Sequence, residues 1–158
     1  RQDTYISTMF DYFRIDAEWP GKEKVQKNVT SGINLSASDK ANILEKGTHA
    51  IIVNSFSDYC PENRFVPYIS MHEFEALLFS DTDVLADKTG IDILQIKKII
   101  EEYGNPEEIN DDPKKAPSKR LENLKPGYRK VAMGKIISES IGIQTIREEC
   151  PHFNLKIV

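Results

Sequence analysis

Apolar and polar positions along the chain change period several times, and each change marks an element. The opening "DTYISTMFDYF" (residues 3–13) alternates and is rich in Thr, Tyr and Phe, which predicts a strand delivering Asp11 at or just past its end. In "WPGKEKVQKNVTSG" (19–32), Pro20 suits a first helical position and Val25 and Val29 stand four apart, so a short helix is expected. A second helical stretch, "SASDKANILEKG" (36–47), has Ser36 or Ser38 as cap, Ile43 and Leu44 inward, and Gly47 as its stop. "THAIIVNSF" (48–56) is a continuous β-branched run, the pattern of a strand buried on both faces of a parallel sheet.

"SDYCPEN" (57–63) is turn-rich, and "RFVPYIS" (64–70) reads as a strand whose Pro67 favours an edge or a strand end. "SMHEFEALLFSD" (70–81) predicts a helix, followed by "TGIDILQIKKIIEEYG" (89–104) with Ile93, Ile96, Ile100 and Tyr103 as an apolar stripe. Pro106, Pro113 and Pro117 break the chain into an irregular loop. Helix resumes after Pro126-Gly127 through "YRKVAMGKIISESIG" and ends in a short "IQTIREEC" turn. Strands alternating with helices give an α/β layer fold with a mostly parallel sheet and a more helical C-terminal part.

With 158 residues, 39% of them hydrophobic, the chain can bury one core, and residues 1–158 read as a single domain. It begins at Arg1 inside a predicted strand, the look of a domain that is incomplete at its N-terminus. No apolar run approaches the ~20 residues of a membrane span and no leader is visible, so a cytoplasmic protein without membrane association is expected. Cys60 and Cys150 each precede a proline in different segments and read as free thiols. The net charge of −4 hides an asymmetry: residues 113–135, a basic loop and helix start, carry +7, and the rest of the chain −11. A polyanion would meet one local patch. Glycine-rich phosphate loops, HExxH and GxSxG are all missing, which removes the common nucleotide-binding, zincin and α/β-hydrolase readings.

The chemistry-bearing residues are acids. Ser70 and Glu73 fit a capping box, with Glu73 reaching back to the Ser70 N–H. On an α-helix Glu75 would lie about 200° around the axis from Glu73, so the two carboxylates are not expected to share a face. That leaves Glu73 most simply as a cap and Glu75, set among Phe74, Ala76, Leu77 and Leu78, as the candidate functional acid. Asp11 at a strand end is either a ligand-positioned acid or a turn aspartate. Carboxylates converging from a strand end and a helix start would form a hard oxygen site suited to Mg²⁺ or Mn²⁺, ions that serve phosphodiester chemistry. Lys119, Arg120, Arg129 and Lys130 would then be phosphate ligands; without a metal they read as a solvated face. The scattered His49, His72 and His152 give only a weak metal signal, and Trp19, Phe10, Tyr12 and Phe13 look like core and rim packing.

Six blocks in order, "TMFDYF" with "WPG", "RFVPYISMHEFEALLFSD", "NPEEINDDPKKAPSKRL", "YRK" and "IREECPHF", resemble the prokaryotic family known as domain of unknown function 4276, over about Thr8 to Phe153. Members of that family look like Toprim-type proteins, the metal-dependent fold of topoisomerases, primases and overcoming-lysogenization-type nucleases. The resemblance implies a Rossmann-like sheet flanked by helices, with acids at strand ends binding Mg²⁺ or Mn²⁺, and cleavage of nucleic acid in a phage-defence or other DNA-transaction system. It also implies a partner ATPase. Asp11 becomes the second metal ligand and Glu75 the third, both catalytic, with Glu73 in reserve and Lys119, Arg120, Arg129 and Lys130 on phosphates. Two departures stand out. The chain begins after the place where the Toprim pattern has its early glutamate, and the later pair of aspartates two apart is imperfect, since Tyr12 and Phe13 follow Asp11. A non-catalytic partner that docks an ATPase or other protein through residues 101–135 is the competing expectation, and phosphoryl transfer on a small nucleotide a third.

Overall fold

A computed structural model describes residues 4–109 and 115–156. They form a mixed α/β protein in two compact units, Arg1–Met71 and His72–Val158, taken here one at a time.

In the first unit, β1 (Ile6–Ser7) runs parallel to β3 (Phe65–Val66), and β2 (Phe10–Asp11) parallel to β4 (Ile69–Ser70). Backbone bonds from Thr8 N to Val66 O, Tyr68 N to Thr8 O and Phe10 N to Tyr68 O join the two pairs into one ladder. Ile6, Thr8, Phe10 and Tyr12 donate in turn to the carbonyls of Arg64, Val66, Tyr68 and Ser70. Pro67 lies between these positions, on the opposite edge of its strand, where its missing N–H costs the ladder nothing. The next donor on that edge, Ile69 N–H, is buried and goes to the Glu45 carboxylate at 2.9 Å. A proline and a buried glutamate thus finish the edge that a further strand would otherwise have to cover.

"THAIIVNSF" is not that strand. It is the second half of α2 (Ala37–Ser55), which Ser36 opens with a capping box to Asp39. Ala41, Leu44, Glu45 and Thr48 are its buried positions, spaced i, i+3, i+4 and i+7, while Ile51 is 51% exposed. Gly47 is not a stop either, since α2 runs straight through it. A Cβ there would lie 2.8 Å from the Pro20 backbone, and one at Gly21 only 2.6 Å from Ile43 O, so the two glycines permit the close approach of α2 to the turn that opens α1 (Lys22–Thr30). Val25 faces the core of this unit with Ile15, Leu44, Ile69 and Met71, whereas Val29 is exposed. Trp19 packs edge-on against Phe10 and donates to Thr48 Oγ1, the rim role expected of it.

The second unit contains no strand among its described residues, in keeping with a more helical C-terminal part. Its elements are a 3₁₀ segment Phe74–Ser80, α3 (Thr82–Thr89), α4 (Ile93–Tyr103), a 3₁₀ turn Pro106–Glu108, α5 (Pro117–Leu124), α6 (Lys130–Ile141), α7 (Ile143–Glu149) and α8 (Pro151–Asn154). On α4 the buried positions are Ile96 and Ile99. Pro117 starts a helix rather than extending a loop, as its fixed φ at a first helical position allows. Pro113 lies outside the described residues. Leu78, Leu85, Ile96, Ile109, Leu121 and Ile137 meet in one core.

Glu45 makes the first unit testable. Glu45→Ala should lower its stability by about 1–3 kcal/mol, because the buried Ile69 N–H loses its acceptor. Glu45→Gln, which keeps a carbonyl oxygen, should cost clearly less in a urea titration.

Candidate functional site

The segment after β4 does not form the predicted α-helix. Ser70 belongs to β4, Glu73 has extended backbone (φ −58°, ψ 153°), and Phe74–Ser80 winds as a 3₁₀ helix. Glu75 to Ser80 are all buried, so the segment is enclosed rather than lying on a surface. A run of seven 3₁₀ residues is long for that geometry. Against it packs α6, where Gly134 leaves room for the Phe74 ring, 3.3 Å from where a Cβ would be.

Because Glu73 precedes the helix, helical rotation does not set its direction, and the two glutamates converge. Lys130, the first residue of α6, places its ammonium 3.1 Å from Glu73 Oε1 and 3.3 Å from Glu75 Oε2. This corrects two expectations: Glu73 makes no capping box with Ser70, and Glu73 and Glu75 do face one point. Glu73 is still a cap, but of another helix. Its Oε2 accepts the Ser118 backbone N–H at 3.0 Å in the first turn of α5, whose own N-cap residue, Ala116, supplies no side-chain bond.

The carboxyl groups differ in proton affinity. Burial pushes Glu73 up, but the Ser118 bonds and the Lys130 ammonium outweigh it and leave its pKa below the ordinary value. Glu75 is only 1% exposed, and burial wins over Lys130 and its own backbone N–H, leaving it above. Lys130, despite burial, is raised by the two carboxylates.

Tyr128, buried in the core of the second unit, is a group the sequence reading did not single out. Burial first, then the Glu75 charge, pushes its phenol up to about 12. The one signal for it is the "YRK" run that brings Lys130 to the start of α6.

Elsewhere the predicted residues are occupied structurally. Asp11, at the end of β2 and in register with Ser70, accepts the Phe13 N–H at 2.9 Å, so it closes a turn at a parallel strand's carboxyl end. Lys119 pairs with Glu122 at 2.6 Å, and Arg120 donates to Tyr103 Oη at 2.6 Å and to the Lys115 carbonyl. Arg129 is exposed at the start of α6. Cys60 is an exposed and Cys150 a buried free thiol. His152 is buried, and its backbone N–H, with that of Phe153, donates to Glu107, a second glutamate capping a distant helix start.

Mg²⁺ is commonly held by one or two carboxylates with water and substrate oxygens, and a pair already converging on one cation suits that donor set. No group of three or more His, Cys, Asp or Glu able to hold a metal occurs among the described residues, so a closed protein cage does not fit. No helix among the described residues is long and apolar enough to cross a membrane.

Removing Lys130 isolates a buried charge. Lys130→Met should therefore destabilise the protein by about 2 kcal/mol at pH 8, less than the ~3–5 kcal/mol of a fully buried pair because the lysine is partly solvated. At pH 5 the loss should shrink, since Glu75, with its raised pKa, takes up a proton and needs no counter-ion; denaturant midpoints at both pH values measure this.

Residues 1–155 match the model of the family described as Domain of unknown function (DUF4276), and the chain belongs to that family. No curated protein and no solved structure matches it.

Proposed function

We propose that this member of the family is a Toprim-like, Mg²⁺- or Mn²⁺-dependent enzyme that hydrolyses phosphodiester bonds in nucleic acid. The observation that carries the reading is the convergence of Glu73 and Glu75 on a single cation, the Lys130 ammonium. Mg²⁺ or Mn²⁺, when bound, supplies charge neutralisation at phosphate oxygens and a more acidic water.

The chain's own residues divide the remaining work. Glu73, held ionised, is the permanent anion of the site. Glu75, with higher proton affinity, accepts the proton of the attacking water, a division that paired carboxylates of unlike environment allow. The water oxygen bonds to phosphorus, the bond to the leaving sugar oxygen breaks, and that oxygen takes a proton from solvent. Lys130, whose outer end reaches solvent, leaves the carboxylates for a phosphate oxygen, and the exposed Arg129 adds a second contact. Asp11, in the first unit, is the acid that the Toprim resemblance implies, and one of its oxygens closes an Asx turn.

The internal pairing of Lys119 and Arg120 favours a second reading, a non-catalytic partner that docks an ATPase through its charged surface. Mn²⁺-dependent nicking of supercoiled plasmid separates the two. Wild-type protein should nick, and Glu75→Ala should reduce the rate at least about 100-fold, the scale of a lost general base. Glu73→Ala and Asp11→Ala should each slow it as well. No nicking with either metal, with or without an ATPase encoded beside the gene, would leave the docking reading.

A further inference from the structure

Lys130 already holds the oxygens that a metal ion would need. Its ammonium stands 3.1 Å from Glu73 Oε1 and 3.3 Å from Glu75 Oε2, while Glu73 Oε2 is engaged by the Ser118 N–H. A second cation bridging the two acids therefore cannot settle beside the ammonium, because like charges at contact distance repel. The ammonium has to leave. Its way out is toward water, since the lysine side chain is 45% exposed, against 26% for Glu73 and 2% for Glu75. Outside, it adds its charge to that of the exposed Arg129, the residue before it. Lys119 and Arg120 offer no such gain, since the first is paired with Glu122 at 2.6 Å and the second with Tyr103 Oη and Glu102.

We propose that Lys130 is an internal plug of the cation site, and that metal and nucleic acid bind with positive coupling because both draw the plug out. The proposal rests on the reading above for the identity of the two ligands. With the ammonium on the carboxylates, the acids are neutralised from within and the surface beside Arg129 lacks one positive charge. With the ammonium swung out, the acids are open to a divalent cation and the lysine is open to a phosphate oxygen. Each ligand favours the same swung-out state, so each raises the affinity for the other, and by linkage the factor is equal in both directions. A protein built this way holds metal weakly until phosphate arrives.

Wild-type protein tests the swing without any variant. Mn²⁺ should raise the rate at which the Lys130 amine is reductively methylated, read by mass spectrometry, and a short DNA duplex added next should lower it again. An amine whose reactivity Mn²⁺ leaves unchanged overturns the plug. For the coupling, fluorescence anisotropy gives the affinity for a labelled duplex in EDTA and in Mn²⁺. Wild type should bind the duplex about 10-fold more tightly in Mn²⁺, within the usual range of coupling between sites. Lys130→Met, shown to be folded by circular dichroism, should gain clearly less, since only direct contact between metal and phosphate is left. Equal gains in wild type and folded variant assign the coupling to that contact and overturn the proposal. Mn²⁺ that binds in calorimetry without changing the affinity for DNA overturns the coupling and leaves the metal reading standing. No Mn²⁺ binding at all removes the metal reading and the proposal with it.

Discussion

The ammonium of Lys130 between Glu73 and Glu75 is the interaction on which the second unit depends. One of its carboxylates is almost fully buried, and a buried anion is tolerated only with a partner. Glu73 extends the same cluster to the start of α5 through Ser118. The 3₁₀ segment, α5 and α6 are therefore tied at a single point, and the tie is electrostatic where the neighbouring core of Leu78, Leu121 and Ile137 is apolar. An apolar replacement could hold these elements together as well. Retaining three charges at such a place is understandable if the charges have work to do.

Glutamates perform a recurring task in this chain: each holds backbone far away in sequence. Glu45 takes the edge donor of Ile69, Glu73 the helix-start donor of Ser118, and Glu107 those of His152 and Phe153. Bonds between backbone N–H and an ionised carboxylate are stronger than neutral ones and fix direction as well as distance. Glu75 differs from these three in that its partner from a distant segment is a side chain alone, Lys130, whose far end reaches solvent. That difference, more than burial alone, is why the proposed hydrolysis gives it the proton-accepting role.

Part of the helical C-terminal half was legible in the sequence, because apolar stripes and glycine ends such as those of α4 and α6 are local, whereas the helix start at Pro117 was read as loop. The strand pair was legible too, with Pro67 at an edge. The run "THAIIVNSF" was misread since a short β-branched run has no period of its own, and the buried face that would have exposed α2 includes the polar Glu45 and Thr48. At the site, the sequence pointed to Glu75 but separated it from Glu73 by assuming an α-helix that starts at Ser70. Extended backbone at Glu73 reversed that, and no local signal announces it. The pairings Glu73 to Ser118 and Glu107 to His152 span 45 residues each and arise from packing alone. Tyr128 was hidden for the same reason.

If the carboxylate pair holds a cation in both the resting and the working protein, the ammonium and the metal compete for the same oxygens. Calorimetric titration of Mn²⁺ into wild-type protein and into Lys130→Met measures that competition directly. The variant should bind Mn²⁺ severalfold more tightly than wild type, with binding abolished by a further Glu73→Gln and Glu75→Gln. Equal or weaker binding by folded Lys130→Met would contradict a shared cation site.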